Sequence, residues 1–497
     1  MHDVTEQLLP SVARFIEEPH GFFIDAEFSA GEAVCRSDVI DPARGVVIST
    51  AAEAGQSDVE RAVQAAREAL TRGPWSTMTP ALRSRALNHL ADLIESSIEP
   101  LAQVETLNAG MLLTDNRSMM IRVAAEQFRY AAGACTRLCG QTIPSSRAGT
   151  WHAYTTRDPV GVAALIVPWN APLMLTAQKL APALAAGCTV VLKPAQETPL
   201  SALWLGRLIL DAGIPPGVVN IVTGGAAVGQ ALAEHPDIDK ISFTGSTQTG
   251  RLVARAATGN LKRVTLELGG KSPVIVFPDA DLDQAVAGAF GAIFRNAGQT
   301  CVAGSRLFVH RSVHDQVVED IVRRTRAIKL GHGFDPASQM GPMVSARHRE
   351  RVLGYISRGL DEGATLLTGR ADEMSTMPGF FVEPTILADV SSDMTVMREE
   401  IFGPVLCVSR FDDDLQDIAK QANDSAFGLS ASVWTRDLRT AHTMTRLLQS
   451  GMVSVNVHGG IDPAIPFGGV KQSGWGRECG DEGVLAYTEV KSVSICL

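Results

Sequence analysis

The rhythm of apolar and polar positions changes once along the chain. Between residues 56 and 129 apolar residues recur every three or four positions, most clearly over 59–70 and 82–95, which predicts helices. From residue 161 short apolar runs alternate with helical stretches. Runs at 162–167, 188–192, 218–222, 240–243 and 273–277 predict strands, and helical patterns intervene at 174–184, 200–212, 228–234 and 249–258. That order predicts an α/β fold with a doubly wound parallel sheet covered on both faces. A second α/β region runs from about 273 to 472, with helices at 281–295 and 313–328 and strands at 306–310 and 405–410. Two strand-like segments, 150–156 and 487–495, fit neither region. In the latter, Thr488, Val490, Ser492 and Ser494 alternate with Glu489, Lys491, Val493 and Ile495. An edge strand at a chain end needs a partner, either another subunit or an internal neighbour.

Ligands of open parallel sheets bind beyond the carboxyl ends of the strands. The candidate residues are therefore Pro168-Trp169-Asn170, Lys193-Pro194-Ala195-Gln196, Thr223-Gly224-Gly225 and Thr244-Gly245-Ser246, with Gly269-Gly270-Lys271 opening the next unit. The stretch from Gly245 to Gly250 follows a strand and opens a helix, which aims backbone N–H groups at an anion such as a pyrophosphate. It is neither a GxGxxG fingerprint nor a P-loop. Gly225 to Gly229 is a similar turn whose glycines also fit a purely structural role. Lys193 at a strand end could hold a ribose or phosphate, or sit in solvent. Cys301 lies in a glycine-flanked turn, Gly298-Gln299-Thr300-Cys301, that can stabilise a thiolate and then an oxyanion. A buried structural cysteine fits the same pattern. Glu267 stands in an otherwise apolar run, where desolvation raises its pKa toward that of a general base unless a partner neutralises it. Asn170 could offer its amide to an oxyanion or merely support its turn.

Charge narrows the function class. The 497 residues hold 44 Lys and Arg against 54 Asp and Glu, a net charge of −10 with no basic run, so a nucleic-acid partner is excluded. The uncharged stretch 159–178 contains Pro159, Pro168, Pro172 and Asn170, and reads as a buried strand and turn, not a membrane span. Asp3 and Glu6 break the order of a secretory signal. Eight cysteines are scattered without CxxC or metal-ligand spacing, so no metal is expected and a reducing, cytoplasmic setting fits.

Taken together, the motifs resemble the aldehyde dehydrogenase superfamily from about His20 onward. They are Val167-Pro168-Trp169-Asn170, Lys193-Pro194-Ala195, Phe243-Thr244-Gly245-Ser246, Leu266-Glu267-Leu268-Gly269-Gly270-Lys271, Gly298-Gln299-Thr300-Cys301, Glu399-Glu400-Ile401-Phe402-Gly403-Pro404, Pro466-Phe467-Gly468-Gly469 and Lys471-Gln472-Ser473-Gly474. The resemblance implies that Cys301 attacks the aldehyde, that Asn170 and the Cys301 N–H hold the oxyanion, and that Glu267 activates water. Lys179 and Glu478 match positions tied to a proton path. For an NAD cofactor it implies contacts from Pro168, Trp169, Lys193, Gln196, Gly225, Gly229, Phe243, Gly245, Ser246, Gly250, Leu268, Glu400 and Phe402. It further implies a cofactor domain over 1–136 and 160–268, a catalytic domain over 269–472 and small oligomerisation strands at 137–159 and 487–497. With these come a homodimer or homotetramer and an interface role for Glu489.

Two departures bear on specificity. Gln196 replaces the glutamate common in NAD-preferring relatives and would repel a 2′-phosphate less, which opens NADP use. The expected substrate positions are Ala171, Gln178, Arg295, Ile461 and Phe467, and relatives often have aromatics at the first three. A buried Arg295 would want an acidic or polar aldehyde tail unless a protein carboxylate pairs with it. The string 461–469 is similar to bacterial phenylacetaldehyde dehydrogenases, which points to aromatic aldehydes instead. Three alternatives are acyl transfer to coenzyme A, whose enzymes typically lack the water-activating glutamate, a catalytically silent structural relative, and a cysteine hydrolase, for which no partner histidine motif is evident.

Overall fold

The computed structural model describes residues 7–31, 35–371 and 377–497. Asp3 and Glu6, on which the reading of the N-terminus rests, lie outside the described residues. The strand Val162–Ile166 is buried throughout. Successive side chains of a strand point to opposite faces, so Val162, Ala164 and Ile166 join one core while Ala163, Leu165 and the following Val167 join another. Helices Gln56–Thr71, Ala226–Glu234 and Thr247–Ala257 cover the first face. Helices Pro80–Ser96, Ile121–Ala134, Pro172–Ala186 and Leu200–Asp211 cover the second. Each fully buried Leu or Phe in these layers contributes roughly 1.5–3 kcal/mol.

Among the described residues this sheet has eight strands. Its parallel centre runs Val219–Ile221, Thr189–Lys193, Val162–Ile166, Lys240–Thr244, Arg263–Glu267. The chain enters in the middle, winds to one edge, returns and winds to the other. The connections therefore diverge beside Val162–Ile166, where such sheets open a crevice. This is the doubly wound arrangement the apolar runs predict. Arg263–Glu267, which was not separated from the apolar run beside it, is an additional strand, and Gly474–Trp475 pairs antiparallel on its outer side.

The second sheet has the order Thr365–Thr368, Thr385–Ala388, Val405–Phe411, Arg306–His310, Pro273–Val276, Ser430–Trp434, Met452–Val455, parallel except at its first pair. Ile275, Val309, Leu406 and Val433 form its core with Val286 and Ile293 of helix Leu282–Phe294. The two segments without an evident home are each other's partner. Thr488–Cys496 pairs antiparallel with Trp151–Pro159 along its whole length, and Thr142–Ile143 adds a third, short strand. Glu489 is held within the chain, by Arg263 Nε at 2.5 Å. Among the described residues, no helix is long and apolar enough to cross a membrane.

Candidate active site

A cleft of about 600 Å³ opens where the strand ends of the first sheet face the second. It is lined by Pro168, Trp169 and Asn170 after one strand, by Gly245 and Ser246 after another, and by Leu268 and Gly269 after a third. Cys301, Glu400 and Phe402 close it from the opposite side.

The local chain geometry explains how Cys301 reaches this cleft. Helix Leu282–Phe294 ends and the backbone turns left-handed at Asn296 (φ 49°) and Ala297 (φ 52°), an arrangement that surrounding bonds must hold. The Gln299 side chain supplies them: its Nε2 donates to the carbonyls of Asn296 and Pro342, both at 3.2 Å, and its Oε1 accepts from the Val344 N–H at 2.9 Å. Asn170 Nδ2 donates to the Gln299 carbonyl at 3.0 Å, which fixes the amide beside the turn. An amide carries two N–H donors, so one remains for a ligand. The Cys301 thiol is half-buried, and burial with the nearby carboxylates Glu400 and Glu267 pushes it up to about 12, against the backbone N–H groups of Val302 and Cys301.

Glu267 ends the strand Arg263–Glu267 and is 3% exposed. Neither carboxylate oxygen has a hydrogen-bond partner among the described residues. Burial, then the charge of Glu478, raises its pKa well above the ordinary range, opposed by Lys179 and Arg477. The chain then crosses to the second sheet through Leu268 to Ser272. A Cβ on Gly269 would lie 2.2 Å from Glu400 Oε2, and one on Gly270 2.3 Å from the Cys301 carbonyl. At Gly270 the obstacle is backbone, so only a bare glycine fits. The Gly270 N–H donates to Glu400 Oε1 at 2.9 Å, and burial raises that carboxyl to about 7. Behind Glu267, the fully buried Lys179 pairs with Glu478, donates to Ser242 Oγ at 3.0 Å, and leaves Glu478 Oε2 to Gln178 Nε2 at 2.7 Å.

The other end of the cleft suits a flat, anionic ligand. Helix Thr247–Ala257 points its N-terminus into it, with Ser246 Oγ capping the Thr249 N–H at 3.2 Å. An anion there meets first-turn N–H groups that have no intrahelical partner. Gly245 packs under Phe243, Gly250 against Leu268 and Gly229 beside the Lys193 stem. Thr244 Oγ1, on the same wall, is buried without a partner among the described residues. Burial lowers the Lys193 ammonium to about 8, and it donates to the Pro194 carbonyl at 3.0 Å. Trp169, His348 and Phe402 form an edge-to-face cluster, with ring centroids of Trp169 and Phe402 5.3 Å apart.

Comparison with known proteins gives the arrangement its place. Residues 28–493 match the aldehyde dehydrogenase family. The chain belongs to the aldehyde dehydrogenase family. Its reaction is therefore the oxidation of an aldehyde to the carboxylic acid. It is 45% identical to cytosolic aldehyde dehydrogenase 1 of Mus musculus, over 95% of this chain and 94% of that one. It is 43% identical to a phenylacetaldehyde dehydrogenase of Pseudomonas fluorescens, over 96% of each. The NAD+ complex of the Bacillus cereus aldehyde dehydrogenase superposes with a TM-score of 0.96 at 45% identity, covering 99% of both chains.

Within this aldehyde dehydrogenase not every candidate substrate position meets its expectation. Arg295 is exposed, not buried: the helix ends one residue earlier, and the guanidinium reaches out to Met119 Sδ at 4.0 Å. It needs no substrate anion to offset burial, and Asp115 lies near enough to feel its charge. Gln178 is committed to Glu478. Ala171 is buried at the start of helix Pro172–Ala186, and Ile461 is 37% exposed on a loop. Phe467 packs with Val302, Leu429 and Cys479 against Cys301. The sequence reading missed His348, whose Nε2 sits 2.7 Å from the Phe402 carbonyl and whose pKa burial lowers to about 4. A single histidine on helix Ala346–Asp361 carries no signal of its own.

The buried pair behind Glu267 yields a stability prediction. Glu478→Gln leaves Lys179 charged in a dry interior, so urea unfolding should show a loss of about 3–5 kcal/mol. A loss below about 1 kcal/mol would mean the pair behaves like a surface one.

Proposed function

We propose that Cys301 is the nucleophile of an NAD-dependent, water-using aldehyde oxidation. The observation that carries this is the meeting of Cys301, its backbone N–H donors and Asn170 in one cleft, with the unpartnered carboxylate of Glu267 close enough to perturb the thiol. Sγ passes its proton to the Glu267 carboxylate and bonds to the aldehyde carbon; Glu267 gives that proton up again before the hydrolytic step. The oxygen that gains the negative charge is held by the free Asn170 N–H and the Cys301 N–H, donors fixed before reaction by the Gln299 network. NAD, when bound, would supply the two-electron acceptor needed to take the carbon on Cys301 from the aldehyde to the acid level. Glu267 then takes a proton from water, whose oxygen attacks the thioester carbon and releases the acid and the thiol. Lys193 would hold the adenosine ribose, Glu400 the nicotinamide ribose, and the first turn of helix Thr247–Ala257 the pyrophosphate. Lys179 and Glu478 would carry protons between Glu267 and the interior.

Hydrolysis is favoured over transfer to coenzyme A by the presence of Glu267. The apolar wall of Val302, Leu429, Phe467 and Met452 around Cys301 supports an aromatic aldehyde, and the exposure of Arg295 gives an acidic tail no buried partner. Domain limits at 1–136 with 160–268, 269–472, and 137–159 with 487–497 are supported by the separation of the eight-, seven- and three-stranded sheets, although Gly474–Trp475 of the first sheet falls outside them. The open edge of Thr488–Cys496, with Val490 and Ile495 exposed, supports homo-oligomer formation. Free cysteines support a cytoplasmic setting.

The test is absorbance of reduced nicotinamide with aliphatic, aromatic and semialdehyde-acid substrates. Turnover should rank aromatic aldehydes first and vanish in Cys301→Ala; turnover that survives the substitution would refute the assignment. Because the Glu267 pKa is raised and the base acts ionised, kcat should climb with pH through a group above the ordinary value of about 4.3. In Glu267→Gln that limb should disappear and kcat fall by about 10²–10⁴-fold. An unchanged profile would remove Glu267 from the mechanism.

A further inference from the structure

Position 196 carries an amide where a carboxylate would reject a 2′-phosphate, yet a carboxylate stands beside it. Glu53 ends the strand Val46–Glu53, 143 positions earlier in sequence. Gln196 Nε2 donates to Glu53 Oε1 at 2.9 Å and to Ser37 Oγ at 2.8 Å, and Ser37 Oγ itself bonds Glu53. Both amide protons of Gln196 are thus engaged. Its Oε1 is turned toward Gly225, where an added Cβ would approach it to 2.9 Å. The Glu53 backbone packs on the same turn: the Ala54 N–H donates to the Thr223 carbonyl at 2.9 Å, and the Glu53 Cα would lie 3.6 Å from a Cβ on Gly224. The Lys193 ammonium senses the charges of Glu197 and Glu53.

We propose that Glu53 is the residue that makes this enzyme select NAD over NADP, taking over through space what position 196 has lost. The inference rests on the reading that Lys193 holds the adenosine ribose. A ribose there would face two hydroxyl acceptors, the Glu53 carboxylate and Gln196 Oε1, and no free amide N–H. A 2′-hydroxyl can donate to either. A 2′-phosphate would meet a like charge and an acceptor, and could recruit the Gln196 amide only by stripping it from Glu53. On this proposal the opening to NADP that Gln196 offers in the sequence is closed by Glu53.

Isothermal titration calorimetry with NAD+ and with NADP+, in the absence of aldehyde, separates the alternatives. The wild type should bind NAD+ at least about tenfold more tightly, and Glu53→Gln should shrink that ratio by about tenfold or more, chiefly by tightening NADP+. Glu53→Asp, which keeps the charge, should retain most of the ratio and guards against a merely structural effect. Equal binding of both cofactors by the wild type, or an unchanged ratio in Glu53→Gln, overturns the proposal. Lys193→Met tests the underlying reading separately. If it weakens both cofactors while Glu53→Gln leaves the ratio unchanged, only the role of Glu53 fails. If it weakens neither, the ribose lies elsewhere and the assignment of Glu53 falls with it.

Discussion

Between Glu267, at the end of one strand of the first sheet, and Pro273, which opens the second, the backbone passes through a tight crossing. The Glu400 carboxylate presses on Gly269 and the Cys301 carbonyl on Gly270, so that at Gly270 only bare backbone fits. Ser473 locks the crossing in place: its carbonyl accepts from the Leu268 N–H at 2.9 Å, and its hydroxyl donates to the Gly269 carbonyl at 2.6 Å. The same hydroxyl accepts from the Gly428 N–H at 2.9 Å, which ties the segment leading into the strand Ser430–Trp434 of the second sheet to the same point. One short segment thereby sets the base, the nucleophile and the ribose-binding carboxylate of the proposed reaction against each other. Sites held by element ends and short bonds in this way are more accurate than sites on free loops.

The electrostatics follow from that closeness. Burial drives Glu267, Glu400 and the Cys301 thiol toward their neutral forms, and the two carboxylates add the effect of their charge at the thiol. The buried Lys179–Glu478 pair behind Glu267 supplies one charge of each sign, and Ser242 bonds to both partners. Groups poised toward neutrality in front and a compensated ion pair behind suit the short proton transfers of the proposed reaction.

Much of this was legible in the chain because buried parallel strands write themselves as continuous apolar runs. The strands at 162, 189, 219, 240 and 273 were found within a residue or two, and the residues directly after two of them, those at 162 and 240, line the cleft. Arg263–Glu267 escaped because a charged residue stands at each end of it. Phe22–Ile24 escaped because it is only three residues long, too short for an apolar run to mark it, and it is buried through its pairing with Glu27–Ser29 and, at Phe23, with the distant Ile221. Glu53 and His348 act through contacts with residues distant in sequence, and no local pattern encodes such contacts. Arg295 is exposed where burial was expected, because periodicity cannot say at which residue a helix stops.

The proposed reaction turns on a covalent acyl intermediate on Cys301 that Glu267 releases. It can be trapped in Glu267→Gln, quenched in acid after mixing with an aldehyde and NAD+ and read by mass spectrometry. The peptide carrying Cys301 should gain the mass of the acyl group while the other seven cysteines stay unmodified. No adduct, or an adduct on a different cysteine, would contradict it.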